Sequence, residues 1–240
     1  LRDDAGRVHA HKTYLDNLWT DNIDAVEVVE FPEASRERLI SVAKNNFVEF
    51  VPNSIQRTGQ CGRTLMTHQQ KAIDNWVANG CKGILKHATG SGKTITAIFA
   101  IKKEVQERKC VLIVVPSKLL LKQWNKEVKE DITDLAIILC GGGNTKWEKN
   151  KYISSVTKEK SLPKGVIIIA VQKTASNPAF KNKIKLPERM LIVADEVHKL
   201  GSENFSDFFD IKFGKRLGLS ATPERYGDPD GTKRIFDYFG

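Results

Sequence analysis

Two short clusters in this 240-residue chain carry residue types and spacings suited to chemistry. The first is His87-Ala88-Thr89-Gly90-Ser91-Gly92-Lys93-Thr94. Gly90 and Gly92 allow close backbone approach, and a helix beginning here would aim its N–H groups at an anion, with Thr89 and Ser91 completing the cradle. Lys93 would reach the outer phosphates of a nucleotide, and the Thr94 hydroxyl would ligate Mg²⁺. The strict form of such a loop has glycine where His87 stands. The second cluster is Asp195-Glu196-Val197-His198, directly after an apolar run. Adjacent carboxylates there can divide their labour. Asp195 would hold Mg²⁺ through its water shell, and Glu196 would position and deprotonate an attacking water. Taken alone, His198 reads as a surface histidine.

Both clusters need a scaffold that holds them at one edge. From residue 65 onward, short apolar runs alternate with helical spacing. Thr67 to Ala78 reads as a helix. Ile95, Ile98, Ile101 and Val105 fall on one helical face, as do Leu121, Trp124 and Val128. Continuous apolar or β-branched runs at 83–86, 111–115, 135–139, 166–171, 190–194 and 216–219 read as strands. Fully apolar strands separated by helices predict an α/β fold, a doubly wound and mainly parallel sheet covered on both faces. The expected domain spans 61–240. Residues 1–60 read as an N-terminal extension or the tail of a preceding domain, with a short strand at Phe31-Pro32 entering a helix and a linker over 51–62.

Charge is unevenly spread. The net charge is +9, yet residues 1–60 carry seven basic and ten acidic groups, and residues 144–185 carry ten lysines against two glutamates. Those ten are Lys146, Lys149, Lys151, Lys158, Lys160, Lys164, Lys173, Lys181, Lys183 and Lys185. A polyanion would explain them, because lysines that neutralise phosphates release counterions. A solvated loop explains them equally. The stretch is expected on a nucleic-acid side, with Trp147 packed on its own helix. The longest apolar runs have six residues, far short of the ~20 that span a bilayer. There is no signal-peptide pattern. The four cysteines, at 61, 81, 110 and 140, form no Cys-x-x-Cys pair. Reduced thiols in the cytoplasm are the expectation.

Gly-Ser-Gly-Lys-Thr, Asp-Glu-Val-His and Leu219-Ser220-Ala221-Thr222-Pro223 follow one another in that order. In this the chain resembles the first RecA-like domain of a superfamily 2 helicase of the DEAD/DEAH type, related to the ATP-dependent subunits of type I and type III restriction enzymes. The resemblance covers about residues 63–240. It implies a P-loop NTPase that hydrolyses ATP with Mg²⁺ and acts on nucleic acid, DNA favoured over RNA. It further implies that Gln69, within Leu65-Met66-Thr67-His68-Gln69, reads adenine, although the family's usual Arg-Pro is replaced by Met66-Thr67. Pro116, Ser117 and Lys118 would contact nucleic acid, joined by Gly142 in the Gly141–Gly143 turn and by Gln172 and Thr174. His198, Ser220 and Thr222 would couple nucleotide state to domain closure.

The chain also resembles a bacterial helicase group whose members often carry a phospholipase D-like nuclease domain ahead of the motor. Its His-x-Lys signature is not supplied by His9-Ala10-His11-Lys12. The chain reads as an excised piece of a longer one. Closure over ATP would need a second RecA-like domain with an arginine finger, so this piece alone is expected to hydrolyse ATP barely or not at all. Three other readings remain open from the sequence: an RNA helicase with the same engine, a nucleic-acid-binding module with a relic P-loop, and a small P-loop kinase or GTPase. The last leaves Ser-Ala-Thr-Pro unexplained.

Overall fold

The computed structural model describes residues 64–149 and 151–240. The expectations for residues 1–60, including the strand at Phe31-Pro32 and the segment around His9, lie outside the described residues, as does the linker to residue 62. The described chain opens with helix α1 (Thr67–Ala78), followed by β1 (Lys82–Lys86), α2 (Lys93–Gln106), β2 (Cys110–Val115), α3 (Lys118–Asp131) and β3 (Leu135–Cys140). Two short helices, α4 (Lys146–Lys149) and α5 (Tyr152–Lys158), lead to β4 (Gly165–Val171). Two more, α6 (Gln172–Ala175) and α7 (Pro178–Lys181), lead to β5 (Leu191–Asp195). Strand β6 (Lys215–Ser220) and helix α8 (Pro229–Phe239) complete the order.

The six strands form one sheet in the order β1-β6-β5-β2-β4-β3, and every neighbouring pair is parallel. This is the doubly wound α/β architecture expected from the apolar runs. The pleat divides each strand between two cores. Val111, Ile113 and Val115 face a layer with Trp76, Ile98, Ile101 and Trp124 from the first three helices. Leu112 and Val114 face the other layer, with Trp147, Phe180, Phe208 and Phe239. All six residues of β2 are fully buried, which explains why its sequence does not alternate. Val193 and Asp195 lie two residues apart on β5. The pleat therefore turns Asp195 toward the face covered by the first three helices.

The end of the chain departs from the sequence expectation. Gly227-Asp228-Pro229-Asp230-Gly231 reads as a turn, but it starts helix α8. The Asp228 side chain accepts from Gly231 N at 2.7 Å, and Pro229 occupies the first helical turn. Proline suits that position because its missing N–H has no intrahelical partner there. A Cβ on Gly231 would lie 2.6 Å from Gly201 O, so the helix can approach that backbone only with glycine there. The basic stretch is likewise not a loop, since it contains α4 to α7 and strand β4.

Candidate nucleotide and nucleic-acid site

Apart from Gln69 on α1, the motif residues gather at or just beyond the carboxyl ends of the strands, and the sheet order sorts them into two groups. β1, β6 and β5 end in the glycine loop, in Ser220 and in Asp195. β2, β4 and β3 end next to Ser117, Gln172 and Gly141. Ligand crevices in open parallel sheets form at this edge.

The glycine loop leads into α2. Gly90 and Gly92 have φ of +82° and +80°, which side chains other than glycine rarely adopt. The Lys93 ammonium donates to His87 O at 2.9 Å and Ala88 O at 3.1 Å, so it lies across the loop. Ser91 Oγ donates to Ala88 O at 2.7 Å. Thr94 stands in the first turn of α2, half-buried, and Thr89 and Gly90 are exposed at the rim.

Gln69 is 3% exposed and secures this loop to α1. Its Nε2 donates to Ser91 O at 3.2 Å, and its Oε1 accepts from Met66 N at 2.9 Å. A Cβ on Gly92 would collide with Gln69 Nε2. Both ends of the carboxamide therefore contact backbone. This clamp on the loop is a role that the adenine expectation did not include. His68 and His87 lie beside it with ring centroids 5.7 Å apart. Partial burial, with help from His68 and Lys93, lowers the His87 pKa.

Asp195 is 8% exposed at the end of β5. Its Oδ2 accepts from Trp124 Nε1 at 2.8 Å, and its Oδ1 accepts from Glu196 N at 3.0 Å. Burial raises its pKa. The indole N–H and the Lys93 charge act in the opposite direction, while the Glu196 charge adds to the rise. Glu196 itself has φ +49°, a left-handed backbone that is uncommon for a residue with a side chain. Such outliers cluster where the surrounding structure imposes them for function. Its Oε2 lies 3.3 Å from His198 Nδ1, which is also 3.1 Å from Ser220 Oγ. A carboxylate can only accept, so the nitrogen facing it carries the proton. Burial lowers the His198 pKa, the nearby Glu196 charge opposing. Ser220 Oγ in turn accepts from Thr222 N at 3.2 Å. A continuous polar chain thus joins Glu196, His198, Ser220 and Thr222.

Two residues of this site are not among the candidates that the sequence offers. Trp124 reads only as a core position on a helix, although a buried indole N–H needs a partner. Arg225 donates through Nη1 to His198 O at 2.6 Å and through Nε to Asp228 Oδ2 at 2.7 Å. It thereby ties the acidic loop to the start of α8.

The nucleic-acid candidates also converge. Pro116 ends β2, and Ser117 caps α3 by accepting from Leu120 N at 3.3 Å. Lys118 is exposed and packs on Gly142, where a Cβ would lie 3.1 Å from its Cγ. A Cβ on Gly141 would collide with Thr174 Oγ1. Gly141, Gly142 and Gly143 all have positive φ. Gln172 differs from the others. It is 3% exposed, so its side chain takes almost no part in the exposed surface. The ten lysines do not share one face. Lys146, Lys149 and Lys173 are exposed near the carboxyl edge, whereas Lys164 precedes β4 and Lys160 lines a cavity with Cys110, Met190 and Lys215 at the amino edge. The expectation that the stretch lies on a nucleic-acid side is corrected accordingly: parallel strands need crossover connections, and those from β3 to β4 and from β4 to β5 return the chain to the amino edge. Trp147 is buried, but it packs edge-on to Phe180 of α7 at 5.4 Å rather than on its own helix, which has only four residues.

Comparison with known proteins bears on this arrangement. The family model described as "Type III restriction enzyme, res subunit" matches residues 63–225. The chain belongs to this restriction-subunit family. Among its relatives, the DNA 3'-5' translocase XPB2 of Sulfurisphaera tokodaii is 34% identical over 175 residues, covering 72% of this chain and 33% of that protein. A protein of African swine fever virus (isolate Pig/Kenya/KEN-50/1950), QP509L, provisionally named an ATP-dependent RNA helicase, is 35% identical over 148 residues, covering 61% and 26%. A solved nuclease-deletion mutant of the Type ISP restriction-modification enzyme LlaGI, in complex with a DNA substrate mimic, matches with a TM-score of 0.52 at 25% identity. That match covers 68% of this chain and 18% of the other. The chain thus spans a third or less of the length of these relatives. The restriction-subunit assignment agrees with the helicase resemblance read from the motifs.

Proposed function

We propose that residues 61–240 form the ATP-binding motor domain of a DNA helicase or translocase, and that residues 1–60 are an extension or the tail of another domain. The observation that carries this reading is the shared edge. The glycine loop, the acidic pair and the Ser220 chain end three strands, and the phosphate-contacting candidates end the other three. One edge can therefore hold a nucleotide and a nucleic acid side by side.

The residues suit ATP with Mg²⁺. Among the described residues, no group of three or more His, Cys, Asp and Glu side chains could hold a metal by itself. Mg²⁺ asks for less, because it keeps several waters and takes one or two carboxylates beside the phosphates. Asp195 and Thr94 would serve it, and the ion would neutralise charge on the transferring phosphoryl group. The amides of α2 and Lys93 bind and orient the phosphates. Glu196 takes the proton of the attacking water, and His198 holds Glu196 while linking it to Ser220. A second RecA-like domain elsewhere in the protein would close over this half-site and contribute the arginine finger.

The XPB2 relative and the LlaGI structure are both named for action on or binding to DNA, which supports DNA as the substrate. The viral relative supports RNA as the second reading. Among the described residues no helix is long and apolar enough to cross a membrane. The free thiols of Cys81, Cys110 and Cys140 suit the cytoplasm. The test is steady-state ATP hydrolysis by the full-length protein with duplex DNA, single-stranded DNA or RNA added. Stimulation by DNA is expected. Stimulation by RNA alone would favour the second reading, and no hydrolysis under any condition would leave the P-loop a relic.

A further inference from the structure

The buried contact between Trp124 and Asp195 has no counterpart among the motif roles above. Trp124 is 1% exposed, and its indole N–H reaches Asp195 Oδ2 from a helix 71 residues away in sequence. The other carboxylate oxygen takes only the N–H of the next residue, a local bond that travels with β5 itself. The indole is therefore the sole partner named here that ties the Asp195 side chain to a different element. That element is α3, which begins at Lys118 after the Ser117 cap. The six steps from Lys118 to Trp124 rise by about 9 Å, so the surface end of the helix and the buried donor belong to one rigid rod.

We propose that Trp124 is a positioning residue. Its indole N–H fixes the Asp195 carboxylate for the metal that accompanies ATP, and it links that carboxylate to the helix that meets nucleic acid. The inference rests on the function proposed above. A carboxylate that holds a metal is oriented by its own hydrogen-bond partners, and loss of such a partner typically costs roughly 10–100-fold in metal affinity or activity. A rigid α3 that shifts against bound nucleic acid moves the donor with it, and the donor has one acceptor to act on.

The test compares the full-length protein with its Trp124→Phe variant, which keeps an aromatic ring and loses the N–H. Benzothienylalanine at position 124 replaces the N–H by sulfur in a ring of nearly the same shape and covers the case of poor folding by the phenylalanine variant. Val128→Ala is the control: the valine is fully buried one turn further along the same helix, and its side chain has no polar atom. Mn²⁺ affinity in the presence of a non-hydrolysable ATP analogue is read from the EPR signal of the free ion. ATP hydrolysis at saturating Mg²⁺ is read with and without duplex DNA. The expected result is a loss of Mn²⁺ affinity of about 10–100-fold in both position-124 variants and a reduced stimulation by DNA, with Val128→Ala unchanged in both. Unchanged Mn²⁺ affinity overturns the positioning role, as does an equal loss in Val128→Ala. Undiminished stimulation overturns the link to α3. A wild-type protein with no metal-dependent nucleotide binding overturns the proposed function instead, and this inference falls with it.

Discussion

Gly90 and Gly92 share a backbone conformation but differ in what surrounds them, and the difference predicts unequal costs for the same substitution. Alanine at either position must adopt φ near +80°. The left-handed conformation costs about 1–2 kcal/mol for a residue with a Cβ. At Gly90 that is the whole effect, because nothing lies within 4 Å of the added carbon. At Gly92 the added carbon meets Gln69 Nε2, and the carboxamide must swing away. It then gives up its bonds to Ser91 O at 3.2 Å and Met66 N at 2.9 Å. Two such bonds are worth about 1–3 kcal/mol together. Gly92→Ala should therefore be less stable than Gly90→Ala by about that amount, or roughly 2–12 °C in Tm for a domain of this size. The entropy that alanine removes from the unfolded chain is common to both variants and cancels. Thermal unfolding of the two variants, repeated in a Gln69→Ala background, gives the double-mutant cycle. The gap should close once Gln69 is gone. Equal losses for the two glycines, or a gap that persists without Gln69, would refute the clamp.

Three further outcomes are expected. Burial pushes the Cys110 and Cys140 thiols up to about 12, so iodoacetamide at pH 8 should label Cys81 on the native protein and spare those two, as read by peptide mass spectrometry. The pKa values of His87 and His198 are lowered from 6.5, so the unfolded chain binds protons first as the pH falls. Their contribution to stability is full above pH 6.5 and is lost below it; urea unfolding between pH 7 and 5 should show a shallower decline in a His87→Asn, His198→Asn double variant. Ser220→Ala leaves Thr222 N and His198 Nδ1 without their shared partner; it should retain binding of a fluorescent ATP analogue while stimulation of hydrolysis by DNA falls at least several-fold.

The strands were legible because a sheet covered on both faces demands unbroken apolar runs, and 111–115 or 166–171 offer no other assignment. The helix at Thr67–Ala78 was legible from its period. The glycine loop and the acidic pair were legible because phosphate and metal chemistry restrict the residue types at each position. Helix α8 was not, because Pro229 and Gly231 are turn formers by composition and become helix residues through an Asp228 cap and a close approach to Gly201. The clamp by Gln69 and the donor from Trp124 were hidden for a different reason. Each depends on which elements the fold brings into contact, across 22 and 71 residues of sequence, and no local pattern encodes that. The basic stretch misled because charge density along a chain does not say on which edge of a sheet each lysine emerges.

The proposed motor needs Glu196 to activate water beside a phosphate cradle that binds ATP without it. The direct measurement is a paired one on the full-length protein with duplex DNA present: binding of a fluorescent ATP analogue and steady-state ATP hydrolysis, for wild type, Glu196→Gln and Lys93→Ala. Glu196→Gln should bind the nucleotide as wild type does and turn over at least about 100-fold more slowly, since general-base catalysis contributes roughly 10²–10⁴-fold. Lys93→Ala should lose hydrolysis together with affinity, because it removes the charge that meets the outer phosphates. Wild-type turnover in Glu196→Gln would contradict a role for Glu196 as the base.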